Sequence, residues 1–280
     1  MTTDWDQGGY RPPTFGLRPK HPPDYWITAA AVTDWDASTY HRVSGPQFEW
    51  AARVLVRLPL DGHETVLDAG CGSGRVTELL LERLPQGHVV AVDAAPSMVE
   101  HARETLGERA TVLCQDLTEL KLDEPVDAVF SSAVFHWVRD HGSLFASLFA
   151  ALRPGAPLVA QCGGEGNVER FHLIAREVGE EEPYVDYLGG WKGPWNFAGP
   201  EQTAERLERA GFGEIETWLE PAPARPDDPE SFARTVCLRP HIDRLPEALR
   251  DDYVREVVAR CGEPFQLDYV RLNIDARRPA

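Results

Sequence analysis

The stretch Val66-Leu67-Asp68-Ala69-Gly70-Cys71-Gly72-Ser73-Gly74-Arg75-Val76 constrains the fold of this 280-residue chain more than any other. Val66 and Leu67 read as the end of a buried strand, and Asp68 marks where the strand stops. Gly70, Gly72 and Gly74 follow at alternate positions. Glycine reaches positive φ and places no Cβ between the backbone and a ligand. Val76, Leu79, Leu80 and Leu84 then recur at helical spacing. A strand, a glycine turn and a helix start make a binding crevice at the C-terminal edge of an α/β sheet. The spacing is not the dinucleotide fingerprint G-x-G-x-x-G: the third glycine comes one position early, and Arg75 stands in its place.

The rest of the chain repeats strand and helix signals. Phe48, Ala51, Ala52, Leu55 and Val56 recur at helical spacing after Pro46, a residue suited to opening a helix. Val89 to Val92 is a continuous apolar run, fit for a strand buried on both faces, and it ends at Asp93. Asp93 lies 19 positions after Gly74, where an acid can accept both hydroxyls of a ribose. Pro96 fits the first turn of the next helix. Strand three is expected at Val112 to Cys114, with Gln115-Asp116-Leu117 as its exit loop. Strand four is expected at Asp127 to Phe130, followed by Ser131-Ser132-Ala133-Val134-Phe135-His136-Trp137 at the sheet edge. A helix ends at Pro154-Gly155, and Ala156 to Gly164 reads as strand five.

These features occur in the order found in class I S-adenosylmethionine-dependent methyltransferases, and the chain resembles that family over roughly residues 35–165. Asp-x-Gly-x-Gly-x-Gly is similar to the family's motif I. The Phe135-His136-Trp137 segment resembles the trans-aconitate methyltransferase group, which esterifies a carboxylate and usually carries glutamine where this chain has His136. The resemblance implies an α/β fold: a Rossmann-like, doubly wound seven-stranded sheet with strand seven antiparallel, plus a mainly helical lid from C-terminal insertions. It implies S-adenosyl-L-methionine as cofactor, held by Gln47, Asp68, Gly70, Gly72, Gly74, Asp93, Ala94, Met98, Gln115, Asp116, Leu117 and Ser132. Met98 is expected against the adenine, Asp116 on its amino group.

Two segments interrupt the family pattern, at about 165–199 and 223–264. Apart from a short helix around Ala175 to Val178, the first reads as loop; the second holds at least two helices. Together they are expected to form a lid over the cofactor within a methyltransferase domain spanning 26–280. Residues 1–25, rich in proline and glycine, are expected to be a flexible arm. Tyr40, Trp137, Trp191 and His241 are candidate acceptor contacts. Methyl transfer is an in-line displacement on an already activated carbon, so the protein mainly positions the acceptor and excludes water. A carboxylate needs no base; a phenol, amine or carbon acceptor does, and His136 is the candidate. Arg170 and Arg239 are considered as clamps for an acidic substrate, although most arginines here are expected at the surface.

Composition excludes other classes. The net charge of −17 repels phosphate backbones and anionic lipid, so neither nucleic acid nor a membrane is expected as partner. The five cysteines form no C-x-x-C, so no metal site or disulfide framework is expected. The start has neither a basic n-region nor an apolar h-region, and a cytoplasmic location fits. The expected activity is O-methylation of a carboxylate or hydroxyl on a small molecule. The alternatives are C- or N-methylation, a non-catalytic cofactor-binding protein, or a nicotinamide-dependent oxidoreductase, which the glycine spacing disfavours.

Overall fold

Seven strands form one sheet in the order β3-β2-β1-β4-β5-β7-β6. The computed structural model describes residues 45–280, with side chains from Phe48 onward. The expected N-terminal arm and Tyr40 lie outside the described residues, as does the side chain of Gln47. In chain order the elements are α1 (Gly45–Arg57), β1 (Thr65–Ala69), α2 (Arg75–Glu82), β2 (His88–Asp93), α3 (Pro96–Leu106), β3 (Ala110–Cys114), β4 (Ala128–Ser132), α4 (His141–Ala151) and β5 (Pro157–Gly163). Then follow α5 (Glu169–Gly179), α6 (Val185–Leu188), α7 (Pro200–Ala210), β6 (Gly213–Pro221), α8 (Pro229–Phe232), α9 (Arg239–Arg244), α10 (Glu247–Cys261) and β7 (Val270–Arg277).

Strands β1 to β5 pair in parallel, so their C-terminal ends share one edge. β7 runs antiparallel between β5 and β6, as the family resemblance implies. Alternate strand residues serve opposite faces. Val66, Val89, Phe130 and Val159 pack with Ala51, Val54 and Leu55 of α1 and Leu80 of α2. Leu67, Val129, Leu158, Ala160 and Ile274 pack instead with Leu144, Phe145 and Leu148 of α4 and Leu207 of α7. Each buried Val, Leu, Ile or Phe here contributes about 1.5–3 kcal/mol by leaving water. The sheet is therefore covered on both faces, and a ligand must approach from the strand ends.

A third core lies outside the sheet. Phe171, Ala175 and Val178 of α5 pack with Tyr253, Val254 and Val257 of α10, with Phe232, Leu238 and Ile242 beside them. The Tyr253 hydroxyl donates to the Ala175 carbonyl at 2.7 Å. Both interrupting segments thus share one helical layer. Two expectations need correction. The helix of the first segment is longer than expected: α5 runs for 11 residues because Phe171, Ala175 and Val178 form a continuous apolar stripe, while most of 165–199 is loop as expected. Strand four starts at Ala128, not Asp127, and takes in Ser131 and Ser132. Just before it, the Asp127 N–H donates to the Thr65 carbonyl and its carboxylate accepts the Thr65 N–H, both at 2.8 Å. Among the described residues no helix is long and apolar enough to cross a membrane.

Candidate active site

The glycine turn after β1 is held by its neighbours as much as by its own conformation. The Gly70 and Cys71 N–H groups donate to the Val92 carbonyl at 2.8 and 2.9 Å. Gly70 has φ +92°, and a Cβ there would lie 2.1 Å from a Val134 methyl. The loop leaving β4 therefore packs directly on the turn leaving β1. That loop is fixed by Ala133, whose N–H donates to the Gln161 carbonyl at 2.7 Å while its φ is held at +62°. Around this junction Phe48, Asp68, Gly70, Gly72, Phe130, Ser132 and Ala133 line an open crevice.

Four expected cofactor residues, Asp68, Gly70, Gly72 and Ser132, meet in that crevice, and Asp93 joins them. Its carboxylate accepts the Gly72 N–H and the Ala95 N–H, both at 2.9 Å. Asp93 thus shapes the turn as well as offering an acceptor to a ligand. Burial raises its pKa, and these backbone hydrogen bonds work against the rise. One strand further, the Gln115 N–H donates to the Asp93 carbonyl at 3.1 Å, and the Asp116 carboxylate accepts the Thr118 N–H at 2.8 Å. Met98 and Leu117 are buried beside this end of the sheet, and the Ala94 carbonyl faces the Cys114 thiol. Gly74, at φ +85°, starts α2, and a Cβ there would press on Leu106 at 3.1 Å.

Asp68 is buried and accepts the Thr77 hydroxyl at 2.7 Å. Burial pushes its pKa up to about 7, with Asp93 adding repulsion and Thr77 opposing it. The ordinary value is 3.8, so between about pH 4 and 7 the native state holds a proton that the unfolded chain releases. Stability from this group is full below the lower value and is lost as pH rises through the upper one. The unliganded protein should accordingly lose several degrees of Tm across that window. Asp68→Asn keeps an acceptor for Thr77 but cannot ionise, so its Tm should fall less with pH. Parallel Tm curves for the two proteins between pH 4.5 and 8 would refute the assignment.

Beyond the crevice, rings form a wall. His136 stacks near Phe197 at 5.7 Å between centroids, Phe197 near His172 at 5.7 Å, and His172 on Trp195 at 4.3 Å. His241 continues it, 5.8 Å from Trp195 and 4.9 Å from Trp191, while Trp137 lies 5.8 Å from Trp195. The Asn196 N–H donates to the His136 carbonyl at 2.9 Å and ties the 190–199 loop to the exit of β4. The fold therefore brings the rings of His136, Trp137, Trp191 and His241 into one cluster. The imidazoles are neutral: burial pushes His172 down to about 4 and His241 down to about 3. His136 is lowered by burial and by the charge of Arg271. Its Nδ1 accepts the Gly163 N–H at 3.2 Å, so the neutral ring carries its proton on Nε2.

Arg271, on β7, escaped the sequence reading. It is 3% exposed, its guanidinium lies 4.7 Å above the Trp50 ring, and its Nε–H points to Gln161 Oε1 at 3.4 Å. Gln161 donates in turn to Asn273 at 2.8 Å, and Asn273 accepts from Arg57 at 2.6 Å. Arg57 pairs with Asp275 at 3.3 Å. The two arginines considered from the sequence serve elsewhere: Arg170 donates to the Cys261 carbonyl at 3.0 Å, and Arg239 pairs with Asp243 on its own helix.

Comparison with known proteins agrees with this geometry. The family model described as a methyltransferase domain matches residues 66–155. Trans-aconitate 2-methyltransferase of Variovorax paradoxus is 32% identical over 259 residues, covering 86% of this chain and 95% of that protein. The protein of the same name from Methylobacterium nodulans is 29% identical, with 88% and 99% covered. Among solved structures, Haemonchus contortus phosphoethanolamine N-methyltransferase 2 with S-adenosyl-L-methionine superposes with a TM-score of 0.57 at 19% identity, covering 87% of this chain and 57% of that one. The [4+2]-cyclase SpnF superposes at 0.58 and 20% identity, with 83% and 82% covered. At such identities these structures speak for the fold alone. The positive-φ turn, the open space beside Gly72 and the carboxylate of Asp93 fit a nucleoside cofactor without phosphate. With its motif order, sheet order and full-length relatives, this chain belongs to the class I S-adenosylmethionine-dependent methyltransferases and is similar to their trans-aconitate methyltransferase group.

Proposed function

We infer that this enzyme methylates a carboxylate oxygen of a small molecule enclosed between the strand ends and the helical layer. S-adenosylmethionine, when bound, supplies a methyl group activated by its sulfonium. The observation that carries the reading is the state of His136. With Nδ1 occupied by the Gly163 N–H, the ring offers Nε2–H as a donor. A donor suits a carboxylate, which is ionised at neutral pH and has only acceptor atoms. Acting as a base would require the ring to give up its backbone contact and switch tautomer. Relatives named for methylating trans-aconitate, a carboxylic acid, support the same reading.

The test uses S-adenosylmethionine labelled in its methyl group with a panel of aliphatic acids, phenols and amines. The expected product is a base-labile methyl ester, with kcat level between about pH 6 and 9 because no base titrates there. Methylation of phenols or amines alone, with kcat rising through neutrality, would overturn the reading.

The aromatic wall supplies the enclosure in this reading. Trp191 and His241 touch each other, and His241 Nδ1 is buried with no hydrogen-bond partner among the described residues. A buried polar atom of this kind suits contact with a ligand. Replacing either residue by alanine is expected to lower kcat/KM about tenfold or to change the preferred acceptor. Cofactor affinity by titration calorimetry should stay within about twofold of wild type, because neither residue borders the glycine turn. Normal turnover of both variants on every accepted acid would remove these residues from acceptor selection.

A further inference from the structure

We propose that the acceptor carries its carboxylate on an aromatic ring, so that the substrate class is arenecarboxylic acids and the ring is received by the series of side-chain rings that ends at His136. The inference rests on the carboxylate reading above and names the body to which that carboxylate is attached.

The rings of the wall share one orientation. His136 is tilted by 20° from Phe197, Phe197 by 19° from His172, His172 by 17° from Trp195, and Trp195 by 8° from Phe197. Aromatic pairs that only fill a core settle as readily into edge-to-face contact. In this protein Phe135 and Phe145 cross at 78°, and Phe149 and Phe212 at 83°. The wall instead aligns planes contributed by separate segments: the exit of β4, helix α5 and the 190–199 loop. Glycine permits that alignment at two points. At Gly193, with φ +86°, a Cβ would lie 2.3 Å from the Trp195 ring, and at Gly163 one would lie 2.8 Å from Phe197. The backbone therefore packs directly on both rings and restricts their rotation. Asn196, between them in sequence, is held through its N–H on the His136 carbonyl at 2.9 Å and its side-chain amide on the Arg139 carbonyl at 3.0 Å.

His172, Trp195 and Phe197 are only half-buried, whereas Phe135, Phe145 and Tyr253 in the neighbouring cores are fully covered. The aligned rings thus keep apolar surface to offer, and side chains already held in place lose little freedom when a ligand lies against them. At the reacting end the series closes on His136. The group this chain resembles usually carries glutamine there, which donates N–H but has no ring. Histidine supplies both the Nε2–H and a plane nearly parallel to Phe197. A carboxylate bonded to Nε2–H lies near the plane of the imidazole, because the hydrogen bond prefers to be straight and in the plane of the acceptor. An aromatic ring conjugated to that carboxylate continues the same plane, at about the tilt shared by Phe197, His172 and Trp195. It can then pack on such rings in the offset-parallel manner that aromatic groups favour. A saturated acid has no plane to match and gains only the burial of its surface.

The experiment measures methyl ester formation from benzoate and 2-naphthoate, each beside its fully saturated counterpart, and from straight-chain aliphatic acids bearing one, two or three carboxylates. Each aromatic acid and its saturated partner share a carbon skeleton, and only the first is flat. For the wild type, kcat/KM is expected to be about 20-fold higher for the aromatic member of each pair, and higher than for every aliphatic acid. Trp195→Leu and Phe197→Leu keep apolar bulk but lose the flat ring. Each should bring that ratio below about fourfold, while the S-adenosylmethionine Kd stays within about twofold of wild type. Equal kcat/KM within the pairs, or a preference for an aliphatic acid, overturns the proposal in the wild type alone, so a misfolded variant does not protect it. A full preference that survives in both folded variants overturns it too, as does a loss of cofactor affinity with the preference unchanged. If the wild type esterifies no carboxylic acid at all, the proposed function fails and this inference fails with it. Esterification of aromatic and saturated acids alike sinks only the aromatic class.

Discussion

Gly70→Ala is expected to be the most damaging single-methyl change in the cofactor half of the protein. The new Cβ would sit 2.1 Å from one Val134 methyl and 2.6 Å from the other, at a φ of +92°. Left-handed backbone strain and overpacking each cost about 1–3 kcal/mol, together on the order of 4 kcal/mol. Val134 cannot give way freely, because Ala133 is tied to Gln161 on one side and Phe135 is buried on the other. The variant should therefore unfold at clearly lower denaturant and bind S-adenosylmethionine too weakly to titrate. Gly72→Ala is the control. Its Cβ meets nothing within 4 Å and points into the open crevice. It should cost only about 1–2 kcal/mol of stability, yet weaken the cofactor at least about tenfold by occupying its space. Equal denaturation midpoints for Gly70→Ala and wild type would show that the β1 and β4 exits do not depend on each other.

His136→Phe is expected to have the largest effect on turnover. Phenylalanine can keep the stacking on Phe197 but loses both ring nitrogens. Removal of a preorganised donor at a reacting group typically lowers the rate by about 100-fold, and a drop of that size in kcat/KM is expected here. Cofactor affinity should change little. His136→Gln separates the two roles a histidine can have. Glutamine donates N–H but cannot serve as a base, and it is the residue the resembling group usually carries at this position. Its activity should lie within about tenfold of wild type if His136 acts as a donor. A His136→Gln protein as inactive as His136→Phe would mean that a protonatable ring is needed.

The cofactor half was legible because its chemistry is local. Asp68, Gly70, Gly72, Gly74 and Asp93 reveal themselves by spacing along the chain, and the fold brings them together where the spacing implies. The acceptor half depends on partners far away in sequence. Which nitrogen of His136 carries the proton depends on Gly163 on the neighbouring strand, and no pattern around His136 reports that contact. Arg271, Asn273 and Asp275 alternate with Leu272, Ile274 and Ala276, which reads as a strand with one wet face. Yet Arg271 and Asn273 are buried, because Trp50 and Arg57 of α1 cover them from more than 200 residues away. In the 165–199 segment the loop character was legible, but the length of α5 was not: the stripe Phe171, Ala175, Val178 begins before Ala175 and carries the helix over Glu169–Gly179.

The antiparallel β7 has a consequence for biosynthesis. β5 and β6 leave the ribosome first, and in the finished sheet they are not neighbours. Until β7 arrives, each presents an unpaired edge, and the two must stand apart by the width of one strand. The 48 residues between β6 and β7 must also be synthesised before that gap can close. Such late, non-local pairing is slow and favours association with other chains. β7 also carries the buried Arg271 and Asn273, which join the sheet last. A quality-control system or chaperone that shields the open edges would act in that interval, before β7 closes the sheet.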